Sequence, residues 1–121
     1  MTKRNLRDRC IEFSILNIKI GKTLIEQEFS KSFGHQLIRS SASPALNYSE
    51  AKSAESHKDF HKLSIALKEL RETLTCLEII QKSKMYPEPD LLKTSFVECN
   101  ELIAIFVKCM ITAKRNSSRI I

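Results

Sequence analysis

Residues 56–84 read SHKDFHKLSIALKELRETLTCLEIIQKSK, and this stretch decides the fold class of the chain. Apolar residues recur along it at alternating spacings of three and four, the heptad pattern of a helix that packs along one seam. The seam positions are Phe60, Leu63, Leu67, Leu70, Leu74 and Leu77. Ser56 is a suitable N-cap, and Asp59 three residues later completes a start similar to a capping box. The pattern predicts a helix over residues 57–84, ended by the prolines at 87 and 89.

Three further stretches have the helical period, and they predict helices over residues 5–22, 30–53 and 90–115. Pro44 falls inside the second of these. A proline there either kinks one continuous helix or begins a new helix that Ser43 caps. The apolar period continues in register across Pro44, which favours the kink.

Length and composition agree with an all-α chain. The 121 residues amount to one domain by the usual size range, and they include only 2 Gly and 3 Pro. This scarcity argues against an all-β fold, and it excludes a glycine-rich phosphate loop or dinucleotide fingerprint. Short loops between four helices predict an antiparallel up-down-up-down four-helix bundle. We expect a single domain over residues 1–121, with residues 116–121 forming a flexible tail.

Two of the predicted helices carry more apolar surface than one bundle can bury. In the first helix, Ile11, Ile15 and Ile18 form a second stripe nearly opposite the main one. In the fourth helix the apolar positions span an arc of about 200°, whereas one face of a bundle needs a stripe of only about 100°. We therefore expect the chain to self-associate.

The net charge of +6 is concentrated near one end of the predicted bundle. Residues 1–22 carry six basic and two acidic residues, and up-down-up-down topology brings the start of the first helix to the same end as the end of the fourth helix. The candidate nucleic-acid-binding residues at this end are Lys3, Arg4, Arg7, Arg9, Lys52, Lys58, Lys62, Lys114 and Arg115. Lys and Arg side chains neutralise phosphates and release counterions. Since the chain has 2 Tyr and no Trp, base stacking is disfavoured, and RNA or DNA binding with little sequence specificity is the first hypothesis.

Two other interpretations of the charge remain open. In the first, the basic residues simply solvate helix ends and, in the last turn of the fourth helix, interact with its dipole. Alternatively, the chain is a protein-interaction scaffold or an accessory subunit of a larger complex, without contact to nucleic acid.

The sequence contains no recognisable catalytic or metal-binding constellation. His57 and His61 have i,i+4 spacing but no Glu to complete the metalloprotease motif, and Glu-x-x-His pairs of di-iron bundles are missing. The 4 cysteines lack CxxC spacing, and three of them lie in apolar helical stretches, where thiols are unreactive. We predict a non-enzymatic protein with no catalytic residue, metal site or cofactor.

Targeting signals are also missing from the sequence. The basic first residues are not followed by an apolar run, so they do not form a secretory signal. The most apolar stretch, residues 102–113, contains Lys108 and is shorter than the ~20 residues of a membrane-spanning helix. We expect a cytoplasmic protein that does not contact a membrane.

Several segments resemble the bacterial four-helix bundle family, also called intervening-sequence or S23-like proteins after members encoded within insertions in 23S rRNA genes. These segments are QLIRSSASPALNYSEA at 36–51, AESHKDF at 54–60, KLSIALKELRET at 62–73 and ECNELIAIF at 98–106. The resemblance covers roughly residues 24–116, and Cys76 departs from it where a large aromatic residue such as Trp is expected.

The resemblance implies a left-handed antiparallel four-helix bundle that assembles as a homopentamer and has no known enzymatic activity. The family is similar to the accessory proteins of diversity-generating retroelements, which are basic pentameric barrels that bind nucleic acid and a reverse transcriptase. It has no established functional residues to transfer to this chain, so the candidate site rests on the position of charge alone.

Overall fold

The computed structural model describes residues 5–51 and 57–119, and within them the chain forms four helices and no strand. The helices are α1 (Leu6–Ile25), α2 (Lys31–Glu50), α3 (His57–Lys82) and α4 (Pro89–Arg119). Each prediction of a helix is matched by a helix of somewhat different length. Residues 116–119, predicted as part of a flexible tail, are instead the last turn of α4. No Gly or Pro interrupts residues 111–119, so nothing in that segment stops the helix.

Local signals account for several of the helix ends. Asn5 caps α1, because its Oδ1 accepts a hydrogen bond from the Asp8 backbone N–H at 2.8 Å. After α3, Lys84 adopts a left-handed conformation with φ 54°, which terminates the helical path. The predicted cap of α3, Ser56, lies outside the described residues.

Pro44 is buried inside α2, which runs through it without interruption. The alternative in which a new helix begins at Pro44 is therefore wrong. A kink at this position stays a prediction.

Side-chain contacts between helices establish the antiparallel order. From α2 to α3, Thr73 Oγ1 donates to Ser40 Oγ at 2.8 Å and Lys62 Nζ lies 2.6 Å from Glu50 Oε2, so residue numbers rise along one helix as they fall along the other. The same holds between α1 and α4, where Arg9 pairs with Glu98 and Ser95 Oγ donates to Asn17 Oδ1 at 2.7 Å. Together with close packing of α1 on α2 and of α3 on α4, this confirms the up-down-up-down bundle.

The core lies between the four helices. The a/d seam of α3 faces it, with four of its six members buried and Phe60 and Leu74 half-buried. Phe106 of α4 is fully buried and makes an edge-to-face contact with Tyr48 of α2, with ring centroids 6.1 Å apart. The most open of the four seams is that between α1 and α4.

Candidate nucleic-acid interface

The start of α1, the end of α2, the start of α3 and the end of α4 lie together at one end of the bundle, here called the basic end. The ion pair between Glu50 and Lys62 joins α2 to α3 there. The Tyr48–Phe106 contact brings α2 and α4 together close to this end of α2. The end of α2 and the start of α3 meet at this end, and the start of α1 faces Glu98 and Glu101 of α4, more than ten residues before that helix ends.

The nine candidate residues fall into three groups. Lys3, Arg4 and Lys52 lie outside the described residues. Exposed at the basic end are Arg7, Lys58, Lys114 and Arg115. The remaining two, Arg9 and Lys62, are partly buried and engaged with carboxylates.

Arg7 retains most of its cationic surface. Its side chain is 60% exposed and lies 3.7 Å from the Asp8 carboxylate, which is itself 52% exposed. An exposed pair at this distance contributes at most about 1 kcal/mol and is screened by salt. Arg7 is therefore available to a phosphate.

Arg9 has a structural role that sequence reasoning missed. Its Nε and Nη2 donate to the two carboxylate oxygens of Glu98 at 3.2 and 2.5 Å, and Nη2 also lies 3.1 Å from Glu101 Oε2. The hydrogen bond to Glu98 raises the pKa of Arg9, because it favours the charged form. This arginine joins α1 to α4 across the most open seam, and its charge is already compensated.

Lys62 is likewise engaged. The hydrogen bond from Lys62 lowers the pKa of Glu50, and the nearby charge of Lys58 lowers it further. Lys58 and Lys62 therefore both act on the Glu50 carboxylate, and of the two Lys58 is exposed whereas Lys62 is partly buried.

A second group of cations lies in the middle of α3, beyond the predicted candidates Lys58 and Lys62 at its start. A groove of about 680 Å³, here called the α3 groove, is lined by Lys68, Arg71 and Glu72 and by the apolar side chains Phe33, Ile79 and Met110. Lys68 and Arg71 are exposed. Their i,i+3 spacing in the sequence was the available signal, since it places both on one face of α3.

A groove of opposite charge follows the seam between α1 and α4. It has a volume of about 560 Å³ and is lined by the carboxylates of Glu12, Asp90, Glu98 and Glu101 together with Lys93. The apolar side chains Phe13, Leu16 and Val97 also line this α1–α4 groove. Neither groove coincides with the basic end.

Two of the three residues in the predicted second stripe of α1 are exposed to solvent, while the third, Ile11, is half-buried. Ile15 is 61% and Ile18 39% exposed, and Val97 and Ile111 on α4 are about half exposed. The excess apolar surface read from the sequence is therefore present on the folded chain, although self-association itself stays a prediction.

Reactive groups do not converge in the described part of the chain. Within residues 5–51 and 57–119, no three His, Cys, Asp or Glu side chains are placed to hold a metal ion. Burial raises the pKa of Cys10 and Cys99 to about 12 and that of Cys76 to about 11, which disfavours a nucleophilic thiolate. No described helix is both long and apolar enough to cross a membrane.

The architecture defines an all-α, up-and-down four-helix bundle with a basic end. The chain belongs to the family of 23S rRNA-intervening sequence proteins, whose model matches residues 4–108. The crystal structure of a protein of unknown function from the S23 ribosomal protein family of Bacteroides thetaiotaomicron is similar to it, with a TM-score of 0.78 and 25% identity. That similarity covers 88% of this chain and 98% of the other. Among curated proteins, none matches this chain. The resemblance read from the sequence is confirmed.

Proposed function

We propose that this chain is a non-enzymatic, self-associating bundle that binds the backbone of RNA or DNA through its basic end, with little sequence specificity. One observation carries the proposal: Arg7, Lys58, Lys114 and Arg115 come from three different helices and are all exposed at the same end. Lys3, Arg4 and Lys52 neighbour them in the sequence and would add to the same positive region.

The expected salt dependence of the binding constant follows from counterion release. Three phosphate contacts per basic end, from Arg7, Lys58 and Arg115, give a slope of log K against log salt of about −2.7 on duplex DNA and about −2.1 on single strands. Self-association increases the number of phosphate contacts per assembly, since each added copy brings its own basic end and its own charge of +6. The homopentamer implied by the resemblance would carry five such ends.

The test is fluorescence anisotropy of the full chain on two duplexes and two single-stranded RNAs of unrelated sequence, between 50 and 200 mM salt. The triple variant Arg7→Glu/Lys58→Glu/Arg115→Glu removes three phosphate contacts and should reduce the slope by about 2.7 on duplex DNA. It should weaken binding to both sequences alike, because backbone contacts carry no sequence information.

A matched control is available at the opposite end of the bundle. Lys22, Lys31 and Lys82 are exposed there, and reversing them to Glu changes the net charge equally. This control variant should keep the wild-type slope. Equal losses in the two triple variants, or a salt-independent affinity, would contradict binding through the basic end.

A protein-interaction scaffold is the second candidate, favoured by the exposed apolar side chains of Ile15 and Ile18. It predicts no binding to any nucleic acid at low salt and a partner protein that stays bound after nuclease and high-salt treatment.

A further inference from the structure

We infer that an unpaired strand of RNA or DNA, once held at the basic end, continues along α3 and into the α3 groove. The inference rests on the nucleic-acid binding in the proposed function, and it names the form of the nucleic acid and its path. The path follows six side chains of α3, here called the α3 row: His57, His61, Ser64, Lys68, Arg71 and Thr75.

The α3 row is straight and starts at the basic end. Its members alternate at spacings of four and three residues, so all of them lie within about 40° of one line along the helix. His57 is the first residue of α3 and precedes the exposed Lys58 of the basic end, and from there the row extends for about 27 Å to Thr75. Ser64 is half-buried, and the other five members are exposed. A strand bound at the basic end can therefore continue along the row.

The two cations of the row are not compensated within the described part of the chain. The row contains no acidic residue, and within residues 5–51 and 57–119 neither Lys68 nor Arg71 forms an ion pair with a carboxylate. Beside the row, Glu69 and Glu72 both pair with Arg39 of α2. The charges of Lys68 and Arg71 are therefore available to phosphates.

The neighbouring helix α4 leaves these charges in place. Cys99 Sγ donates to Leu70 O at 3.2 Å, so Glu98 and Glu101 lie at the height of the two cations of the row. Both carboxylates pair with Arg9 of α1, on the side of α4 that packs against α1 rather than α3. They therefore compensate a charge of α1 and not the charges of the row.

The remaining members of the row add hydrogen-bond donors and space. The imidazoles of His57 and His61 are exposed, and each has at least one ring N–H that can donate to a phosphate oxygen. Ser64 Oγ donates to His61 O at 2.6 Å and Thr75 Oγ1 donates to Arg71 O at 3.2 Å, which holds both short side chains against the helix. They leave room for a strand between the longer side chains.

The far part of the row lies in the α3 groove. Four members of the row line that groove: Ser64, Lys68, Arg71 and Thr75. Its lining also includes Phe33 and Met110, which are half-buried, and Ile79, which is 40% exposed. Every base has an apolar face, and covering that face requires no particular sequence. The groove thus offers cations to phosphates and an apolar surface to bases.

This combination suits an unpaired strand better than a duplex. In a duplex the bases are stacked and paired with each other, and the backbone winds around the duplex axis away from a straight row. An unpaired strand bends freely, so its phosphates can follow the row while its bases turn to the apolar lining. A basic groove that tracks the backbone, with side chains that cover the bases, is the usual arrangement of single-strand binders.

Fluorescence anisotropy of the full chain tests the path on two ligands. One is an oligouridine RNA of about 16 nucleotides, at the upper end of single-strand site sizes, and the other is a duplex DNA of the same length. Three contacts at the basic end and two on the row give the wild type a slope of log K against log salt of about −3.5 on oligouridine, against about −2.1 for the basic end alone. On the duplex, which does not use the row, the slope should stay at about −2.7.

Neutralising the row separates its contribution from that of the basic end. Lys68→Gln/Arg71→Gln should reduce the slope on oligouridine by about 1.4 and leave the slope on the duplex unchanged. Ile79→Ser should weaken binding to oligouridine without changing its slope, because it removes apolar contact and no charge. Lys19→Gln/Lys108→Gln is the matched control, because both lysines are exposed outside the α3 groove and the change in net charge is the same. Both slopes of the control should stay at the wild-type values.

Four results would contradict this path. An equal reduction of the slope on the duplex would overturn the preference for an unpaired strand. If Lys68→Gln/Arg71→Gln changes neither slope while Arg7→Glu/Lys58→Glu/Arg115→Glu lowers both, the path along α3 is wrong and binding through the basic end stands. A wild type that binds neither ligand overturns both. In sedimentation velocity Lys68→Gln/Arg71→Gln should keep the wild-type mass, and a lower mass would assign the α3 groove to a contact between copies and overturn the path.

Discussion

Replacing Gly34 by Ala should destabilise the bundle, although alanine is the better helix former. The glycine allows α2 to approach α1 closely: an added Cβ would lie 2.7 Å from Gly21 O, 2.8 Å from Ile25 Cγ1 and 3.0 Å from Ile25 N. Two of these three atoms belong to the backbone of α1, so a rotamer change cannot relieve the clash. The two helices would have to separate, and core contacts along their interface would be lost.

The expected size follows from two opposing effects. Gly→Ala in a helix interior gains about 1 kcal/mol of helix propensity. Overpacking a close contact costs about 1–3 kcal/mol, and the upper part of that range applies when the obstructing atoms are backbone. The net loss in the free energy of unfolding should therefore be about 1–2 kcal/mol.

Urea unfolding followed by far-ultraviolet circular dichroism measures this loss, at one protein concentration because self-association adds to the apparent stability. Gly21→Ala is the matched comparison: its Cβ would meet the Ile38 side chain at 2.5 and 2.7 Å and Gly34 O at 3.0 Å. Ile38 is only half-buried and can move aside, so Gly21→Ala should cost less. A Gly34→Ala variant as stable as wild type would refute the close approach of α1 and α2.

Three further expectations concern polar contacts between helices. Asn17 and Ser95 are fully buried and hydrogen-bonded to each other, so removing either side chain leaves its partner without this hydrogen bond and should lower the free energy of unfolding by about 1–3 kcal/mol. In a double-mutant cycle measured by urea unfolding, the double variant should lose clearly less stability than the sum of the two single variants. Arg9→Ala removes the hydrogen bonds to Glu98 and should lower the free energy of unfolding by about 1–3 kcal/mol. The slope of log K against log salt for nucleic-acid binding should stay unchanged, because the charge of Arg9 is already paired, and a reduced slope would contradict this structural role. Because Lys62 lowers the pKa of Glu50 in the folded state, their pair stabilises the fold fully above the unfolded carboxyl's pKa and loses this effect as the pH falls through the lowered folded pKa. The stability difference between wild type and Lys62→Ala should therefore begin to shrink near pH 4.5 and vanish only below the folded pKa, and a difference that does not shrink on acidification would contradict this linkage.

The candidate site was predictable in outline but not residue by residue. Charge counting and bundle topology together located the basic end, and four of the candidate cations are exposed there. Arg9 could not be distinguished from Arg7 in the sequence, since both are arginines at the start of α1. The difference is that Arg9 reaches Glu98, 89 residues away, whereas the ion-pair partner of Arg7 within the described residues is its neighbour Asp8.

The α3 groove and the end of α4 could likewise not be predicted from the sequence around each residue. Lys68 and Arg71 appeared in the sequence as ordinary residues on the solvent face of a heptad helix. Their height relative to Glu98 and Glu101 depends on how α3 and α4 are aligned, which no local pattern records. The end of α4 was predicted at residue 115, with residues 116–121 as a tail, whereas the helix continues to Arg119.

The sequence by itself determined the fold class and the amphipathic faces, because helical periodicity, capping and the scarcity of Gly and Pro are local properties. It also determined that α1 carries apolar surface beyond the need of one bundle. Only the tertiary structure decided which cations are compensated, where α1 and α2 approach through their two glycines, and at what height the acidic and basic grooves lie. These features depend on pairs of residues tens of positions apart, whose distance is set by the packing of whole helices rather than by the sequence around either residue.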